Sequence, residues 1–468
     1  LSNEIRSLNE ECGIFGIWNS KQASNLSYLG LNSLQHRGQE GAGIAALNNR
    51  RINCIKNIGL LTQVFQDMSL LNQLNGSSAI GHVRYSTSGD NKISNIQPLL
   101  FEFTDEQIAL AHNGNLTNSK TLKSDLEKRG HIFHSTSDSE LLMHLVRLSD
   151  KATFQEKLKV GLNFLKGGFA YLILTKDAMY VALDRHGFRP ISIGTLNDGG
   201  YVVASETCAI DAVGGEFLRD VLPGELIKIS DSGLEIDHWT DETKQAICSM
   251  EYIYFARPDS NILGINVHTA RKKMGINLAK ESPVDADIVI GVPNSSLSAA
   301  SGYSEQLNLP YEMGLIKNQY VGREFIQPNQ ELRESSVCQK LSAIKGVVKG
   351  KKVVLLDDSI VRGTTSKRIV KLLRDAGAKE VHLRIASPPF KYPSFFGIDI
   401  QNKDELIASK LSIEEMNNLF NSDSLAFLSE EGLIDSIGTK FSEKYNGLDM
   451  SYFNGDYPEY LYDYEYRK

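Results

Sequence analysis

The 468-residue sequence predicts two units of different fold class. An α+β unit of stacked sheets flanked by helices runs to about residue 244, and an α/β unit with a mainly parallel sheet follows. Three observations carry this. In the first half, segments rich in β-branched and aromatic residues alternate with Gly and Asn turns: Cys12–Trp18, Glu40–Leu47, Ala79–Ser86, Ile108–Gly114, Phe169–Thr175, Ala178–Asp184 and Tyr201–Thr207. In the second half, Asp285–Pro293 and Lys351–Asp358 are continuous apolar runs without polar alternation, as in strands buried on both faces. The chain after the second run then reads loop, helix, strand, which completes a βαβ unit.

Within the first unit, Ser139 to Leu148 reads as a helix between strands. Asp231 to Ile247 is polar and reads as a linker, which places the boundary near residue 245. In the second unit, Ile369, Leu372 and Leu373 fall at helical spacing and Gly377 stops that helix. Val381, Leu383 and Ile385 then alternate as a strand. The tail from about Leu425 is aromatic and acidic and shows no core pattern of its own.

Hydrophobic residues make up 41% and charged residues 23%, an ordinary globular composition. Lys plus Arg total 50 against 57 for Asp plus Glu, a net charge of −7. That balance argues against a general nucleic-acid or anionic-membrane binder but leaves room for a local phosphate pocket. Five cysteines without regular spacing do not make a secreted disulfide framework. No run approaches the roughly 18 apolar residues of a membrane span, and the first residues lack a signal-peptide core. These features lead us to expect a soluble cytoplasmic enzyme.

Val353–Ser366, VVLLDDSIVRGTTS, ends an apolar strand in Asp357 and Asp358 and opens a helix through a Gly-Thr-Thr turn. Such a strand delivers both carboxylates to the carboxyl edge of a parallel sheet, where α/β proteins bind ligands. The turn offers backbone N–H groups and hydroxyls beside a helix N-terminus, which suits a phosphate. Carboxylates there can hold sugar hydroxyls or Mg2+. The string resembles the signature of the type I phosphoribosyltransferases. The resemblance implies that Asp357 and Asp358 contact the ribose hydroxyls of phosphoribosyl pyrophosphate (PRPP). It also implies that Ser359 to Ser366, with Gly363, Thr364 and Thr365, cradle the 5′-phosphate. Ile290–Ser296, IGVPNSS, resembles that family's pyrophosphate loop, with Ser295 on the Mg2+ side beside Asp357 and Asp358. Lys317–Pro328 resembles the loop that closes over PRPP, and its cations Lys317 and Arg323 suit a pyrophosphate leaving group.

Cys12 precedes a Gly-rich strand. Gly81–Gly89, GHVRYSTSG, sets Arg84 among small polar residues. Ala111–Leu116, AHNGNL, ends a strand in Asn113 and Gly114, a side-chain amide beside a backbone N–H. Ser135–Glu140, STSDSE, supplies Asp138. A thiol, an oxyanion donor pair, a cation for a carboxylate and an anion for an ammonium are what hydrolysis of free glutamine requires. These strings resemble the glutamine amidotransferases of the N-terminal-nucleophile class. LQHRGQEGAGI, DRHGFRPISIG, ASETCAID, PGELIKI and EYIYFARPDSNI extend the resemblance, from about residue 10 to residue 400, to members fused to a phosphoribosyltransferase.

The resemblance implies an N-terminal-nucleophile four-layer αββα sandwich over 12–244, a type I phosphoribosyltransferase domain with its tail over 245–468, and a propeptide over 1–11. Cys12 would attack the glutamine amide, with its own freed α-amino group as the base and Asn113 and Gly114 as the oxyanion hole. Arg84 would hold the α-carboxylate and Asp138 the α-ammonium. Ammonia would pass internally and displace pyrophosphate at C1 of PRPP, giving 5-phosphoribosylamine for purine synthesis. Mg2+, feedback by purine nucleotides and a homotetramer are further implications. Many relatives carry a [4Fe–4S] cluster on four cysteines. The resemblance places those positions at Cys248, Ser394, Asp449 and Tyr452, so no cluster is expected here. Without one, the tail is expected to pack through Tyr452, Phe453, Tyr457, Tyr460 and Tyr462. The closing loop also departs, with Gln319 and Cys338 where basic residues are expected. Two other readings stay open at this point: a silent PRPP- or nucleotide-binding regulator, and a stand-alone glutaminase feeding a partner. Dependence of glutaminase turnover on PRPP would speak for the fused enzyme.

Overall fold

The computed structural model describes residues 12–85, 92–103, 106–318, 341–398, 400 and 402–467. Its first half is built on two antiparallel sheets. The seven-stranded sheet runs in the order Glu216–Asp220, Ser192–Thr195, Tyr201–Ala204, Gly13–Trp18, Ser78–Arg84, Gly41–Asn48 and Arg51–Ile58. The six-stranded sheet runs Gly233–His238, Glu225–Ser230, Met179–Leu183, Gly167–Leu174, Gln107–Leu116 and Leu99–Glu102.

Alternation along each strand assigns its two faces. Ile14, Ala45 and Ile80 point inward and meet Ala111, Leu172 and Val181 of the other sheet. Phe15, Ala42 and Val83 point outward, beneath Leu31 of the helix Ala23–Ser33. On the far side Leu110, Phe169 and Tyr171 lie under the helices Leu141–Leu148 and Phe154–Phe164. The result is a four-layer αββα sandwich. Gly16 marks how closely the sheets approach, since a Cβ there would lie 2.7 Å from Leu172 Cδ2 and 2.8 Å from Met179 Sδ.

The second half is a four-stranded parallel sheet in the order Ile288–Gly291, Lys352–Asp357, Glu380–Ile385 and Ser424–Phe427. Both faces are covered. Val289, Val354 and Leu356 pack on one side and Ile290, Val353 and Leu355 on the other, which is why these strands show no polar alternation. The βαβ unit is present, with its helix over Thr364–Asp375 and Gly377 at φ +94 behind it.

Three sequence expectations need correction. The polar stretch read as a linker contains the strand Gly233–His238, paired in full register with Glu225–Ser230 on the sheet edge. Leu234, Glu235, Ile236 and Asp237 do alternate, but the run is short and set in an otherwise polar stretch. Trp239 is buried next to it and donates to Leu183 O at 2.9 Å. The tail from Leu425 does have a core pattern: Leu433, Ile437, Leu448, Met450, Tyr452 and Phe453 are buried in the core of the second half. Of the tail aromatics expected inside, Tyr460 and Tyr462 are instead exposed.

The tail also returns to the first half. The helix Ser119–Lys128 has no cap from its own Asn118. Asp463 caps it instead, accepting from Lys120 N at 2.7 Å and from Thr121, while Glu459 accepts from Gly167 N at 3.0 Å.

Candidate active site

Cys12 stands at the start of the strand Gly13–Trp18 and is buried. Its thiol donates to Tyr85 O at 3.3 Å, and Tyr85 N donates back to Sγ at 3.4 Å. That exchange sets the thiol beside the end of the strand Ser78–Arg84. Arg84, its last residue, is buried and fixed through its carbonyl, which accepts from Glu40 N at 3.0 Å.

Asn113 and Gly114 come from the facing sheet, and Asp138 from the short turn Asp138–Glu140 that precedes the helix Leu141–Leu148. Asn113 is buried on the strand Gln107–Leu116, and its amide Nδ2 makes no hydrogen bond among the described residues. An orphan donor costs about 1–3 kcal/mol, a cost that an incoming oxyanion would remove. Gly114 has φ +144, and a Cβ there would fall on Gly168 O, so no other residue fits. Asp138 is tied to the same strand: its Oδ2 accepts from Leu116 N at 2.9 Å, and its Oδ1 is 3.8 Å from His112 Nδ1. A buried His82 joins the two sheets through Nε2 to His112 O at 3.1 Å; burial and Arg84 push it down to about 3, so it stays neutral.

Neither His36 nor His112 is arranged to act as a general base for the thiol. His36 has both ring nitrogens committed, to Ser33 O and to Glu206. His112 bonds Ser139 Oγ at 2.8 Å and stacks on Tyr171, and burial lowers its pKa against the pull of Asp138.

In the second half the parallel register sets Gly291 against Leu356, so the IGVPNSS turn and the paired acids leave the sheet side by side. Ser295 Oγ donates to Asp358 Oδ2, Ser296 Oγ to Asp357 Oδ1 at 3.2 Å, and Ser359 Oγ to Asp358 Oδ1 at 2.7 Å. Burial and the charge of Asp358 push Asp357 well above the usual carboxylate range. Burial also raises Asp358, against the pull of Ser295, Ser359 and Arg271. Gly363, at φ +74, turns the chain into the helix Thr364–Asp375 against Ile407 and Phe420. Thr364 and Thr365 are exposed on the first turn and Ser366 is buried beneath them. Sequence reading had passed over Ser296 and Arg271.

Lys317 lies exposed on the strand Leu315–Lys317, paired with Leu341–Ala343, and forms no ion pair among the described residues. Arg323, Gln319 and Cys338 lie outside the described residues, as does Leu1–Glu11.

Two carboxylates and three hydroxyls are hard oxygen donors and fit Mg2+, whose charge would relieve the repulsion between the acids. The other metal question has the opposite answer. Cys248 and Asp449 sit opposite each other in a short parallel pairing. The buried Tyr452 hydroxyl lies 2.6 Å from Ser249 Oγ and 3.5 Å from Cys248 Sγ and accepts from Met250 N at 3.1 Å. Ser394 is buried, and burial raises Asp449 to about 6. One thiol among a hydroxyl, a carboxyl and a phenol does not fit an iron–sulfur cluster.

A thiol-based glutaminase half followed by a phosphate-binding α/β half defines a class of fused glutamine-dependent transferases. Two domain families match in that order, a glutamine amidotransferase domain over residues 82–212 and a phosphoribosyl transferase domain over residues 268–386. The amidophosphoribosyltransferase of Staphylococcus aureus is 57% identical over 458 residues, covering 98% of this chain and 93% of that one. That of Bacillus subtilis is 54% identical over 460 residues, covering 98% and 96%. The B. subtilis glutamine PRPP amidotransferase, solved in complex with ADP and GMP, superposes with a TM-score of 0.92 at 54% identity, over 96% of this chain and 98% of that one. This chain belongs to the amidophosphoribosyltransferase family. It is an enzyme, and membership does not favour the regulator reading.

Proposed function

We propose that this chain hydrolyses glutamine at Cys12 and delivers the ammonia to PRPP held at Asp357 and Asp358. The reaction is the glutamine-dependent conversion of PRPP to 5-phosphoribosylamine, glutamate and pyrophosphate, the first committed step of purine biosynthesis. The observation that carries this reading is the pairing, in one chain, of a buried thiol and orphan amide with a serine-clasped acid pair. The domain division is proposed as 12–244 and 245–468, with 1–11 as a leader that is removed.

The Cys12 thiolate adds to the amide carbon of glutamine, and the oxyanion is held by Asn113 Nδ2 and Gly114 N–H. Arg84 takes the α-carboxylate and Asp138 the α-ammonium. The α-amino group of Cys12 takes the thiol proton as the thiolate forms and returns it to the departing nitrogen, so collapse expels ammonia and leaves the thioester, from which water then releases glutamate. Ammonia forms a bond to C1 of PRPP as the bond from C1 to pyrophosphate breaks. Asp357 and Asp358 hold the ribose hydroxyls, and the turn Ser359–Ser366, through Gly363, Thr364 and Thr365, takes the 5′-phosphate. Ser295, Asp357 and Asp358 would hold Mg2+, which offsets the charge of the leaving pyrophosphate. Lys317 and Arg323 are proposed to close on that same group.

Purine nucleotides are proposed as feedback ligands, supported by the ADP and GMP bound to the B. subtilis relative. A homotetramer in the cytoplasm completes the proposal. No helix among the described residues is long and apolar enough to cross a membrane.

The experiment is a product balance on the full chain with PRPP, Mg2+ and glutamine. Glutamate and pyrophosphate should form one for one, and glutamate without pyrophosphate would overturn the reading. The base assigned above exists only if the Glu11–Cys12 amide is cut, which frees an amine of pKa about 8. The mass of the active protein should therefore correspond to a chain beginning at Cys12, and Cys12→Ala should keep its leader. Full glutaminase activity with the leader intact would refute the amine base.

A further inference from the structure

The strand Gln107–Leu116, which carries Asn113 and Gly114, is paired on one edge only as far as Leu110, opposite Leu99. N–H groups two residues apart in an antiparallel strand point to the same edge. His112 N, Gly114 N and Leu116 N therefore share an edge, and side chains take over there. Gln97, 5% exposed, accepts from His112 N through Oε1 at 2.6 Å. Asp138 accepts from Leu116 N at 2.9 Å. Gly114 N lies between these two anchor points.

The other end of the Gln97 amide reaches the turn that bears Asp138. Its Nε2 donates to Ser139 Oγ at 3.1 Å, and that hydroxyl, fully buried, also lies 2.8 Å from His112 Nδ1. One side-chain amide thus joins the neighbour of Asn113 to the neighbour of Asp138. Asn95 adds a parallel tie: its Nδ2 donates to Thr136 Oγ1 at 2.8 Å and its Oδ1 accepts from Thr136 N at 2.9 Å. The backbone on either side of Gln97 is held as well. Lys56 Nζ donates to Ile96 O at 2.6 Å and to Pro98 O at 3.1 Å. Gly43 leaves the room for this, since a Cβ there would lie 2.5 Å from Gln97 O.

We propose that Gln97 is a positioning residue that sets the span between the oxyanion donors at Asn113 and Gly114 and the ammonium acceptor Asp138. Through that span it selects glutamine over asparagine. Asparagine is one methylene shorter, so with the span fixed it cannot place its ammonium at Asp138 and its amide oxygen at Asn113 together. The span is stiff because moving either end leaves a buried donor or acceptor of Gln97 unpaired. This rests on the site assignment proposed above.

The test uses the full chain and the variants Gln97→Met, which keeps the reach of the side chain without either bond, and Ser139→Ala, which releases only the Asp138 end. Glutaminase with glutamine and with asparagine, synthesis from ammonia and melting temperature are compared. In Gln97→Met the kcat/KM for glutamine should fall about a hundredfold. Its ratio to that for asparagine should fall about tenfold. Ser139→Ala should raise the KM for glutamine about tenfold with kcat within about twofold of the parent. Synthesis from ammonia should stay within about twofold in both variants.

A merely structural role would blunt Cys12 towards every reagent alike. The proposal instead expects inactivation of Gln97→Met by iodoacetamide, which needs neither end of the span, to stay within about twofold of the parent, while inactivation by a diazoketone analogue of glutamine slows about tenfold. Equal slowing of both reagents, or a folded Gln97→Met with the parental preference for glutamine over asparagine, overturns the proposal. Should Gln97→Met not fold, Ser139→Ala decides, and an unchanged KM for glutamine there overturns it. A parent without glutaminase activity would instead count against the proposed function.

Discussion

Cys12→Ala is expected to remove glutamine-dependent synthesis while ammonia-dependent synthesis stays within about twofold of the parent. The nucleophile supplies covalent catalysis, and no other described group is placed to form the thioester, so the loss should exceed about a thousandfold. The fold should tolerate the change. What Arg37 holds is the Cys12 carbonyl, which alanine keeps. Among the described residues the thiol makes two long contacts with the Tyr85 backbone. The second site draws on Ser295, Ser296, Asp357 and Asp358, none of which bonds to residue 12. With ammonium salt as donor, the rate in the variant should rise with pH as free ammonia increases. Equal loss of both activities would dissolve the two-site assignment.

How much of this was legible in the sequence depended on how local each feature is. The acid pair and its turn lie on one string, because a strand, a sharp turn and a helix start must follow one another there; Asp357 to Ser366 could be read directly. Cys12, Arg84, Asn113 and Asp138 are scattered, and it was their order along a known family that revealed them. What stayed hidden depends on partners far away in the chain. Ser296 differs from Ser295 only in which acid the folded turn offers it. Arg271 looks like any helix arginine until its helix packs against the carbonyls of Tyr252 and Ala256, to which it donates. Leu234 and Ile236 mark an edge strand only once Glu225–Ser230 lies beside them. The tail shows no period because its short segments are buried one at a time, Leu448 and Asp449 by pairing with Ile247 and Cys248.

Asp357→Asn combined with Asp358→Asn is expected to abolish synthesis from both amine donors while raising thermal stability. Hydrogen bonds to charged groups contribute about 1.5–3 kcal/mol each. Losing one such contact at each acid weakens transition-state binding by about 3–6 kcal/mol, or about 10^2- to 10^4-fold in rate. Stability moves the other way. Both carboxyls are raised by burial, and Asp357 also by its neighbour's charge. A carboxyl whose pKa is raised on folding gives its stabilising contribution in full below the unfolded value, near 4. It loses that contribution as pH climbs through the folded value. As pH rises toward neutrality that contribution is lost, and amides, which do not ionise, avoid the loss. A gain of about 1 kcal/mol would appear as about 2–4 °C in melting temperature for domains of this size. At 357 an Asn carbonyl can still accept from the backbone N of residue 358 and from Ser296 Oγ, and at 358 an Asn carbonyl keeps one serine donor while its Nδ2 can donate to the other serine, so the turn should keep its shape. Mg2+ with PRPP should stabilise the parent but not the double variant, because the ligand acts where the charges repel. Basal glutaminase at Cys12 should survive in the variant without stimulation by PRPP. A variant that melts lower than the parent at pH 7, or one that still makes phosphoribosylamine from ammonia, would show that these two carboxylates are structural and that PRPP is held elsewhere.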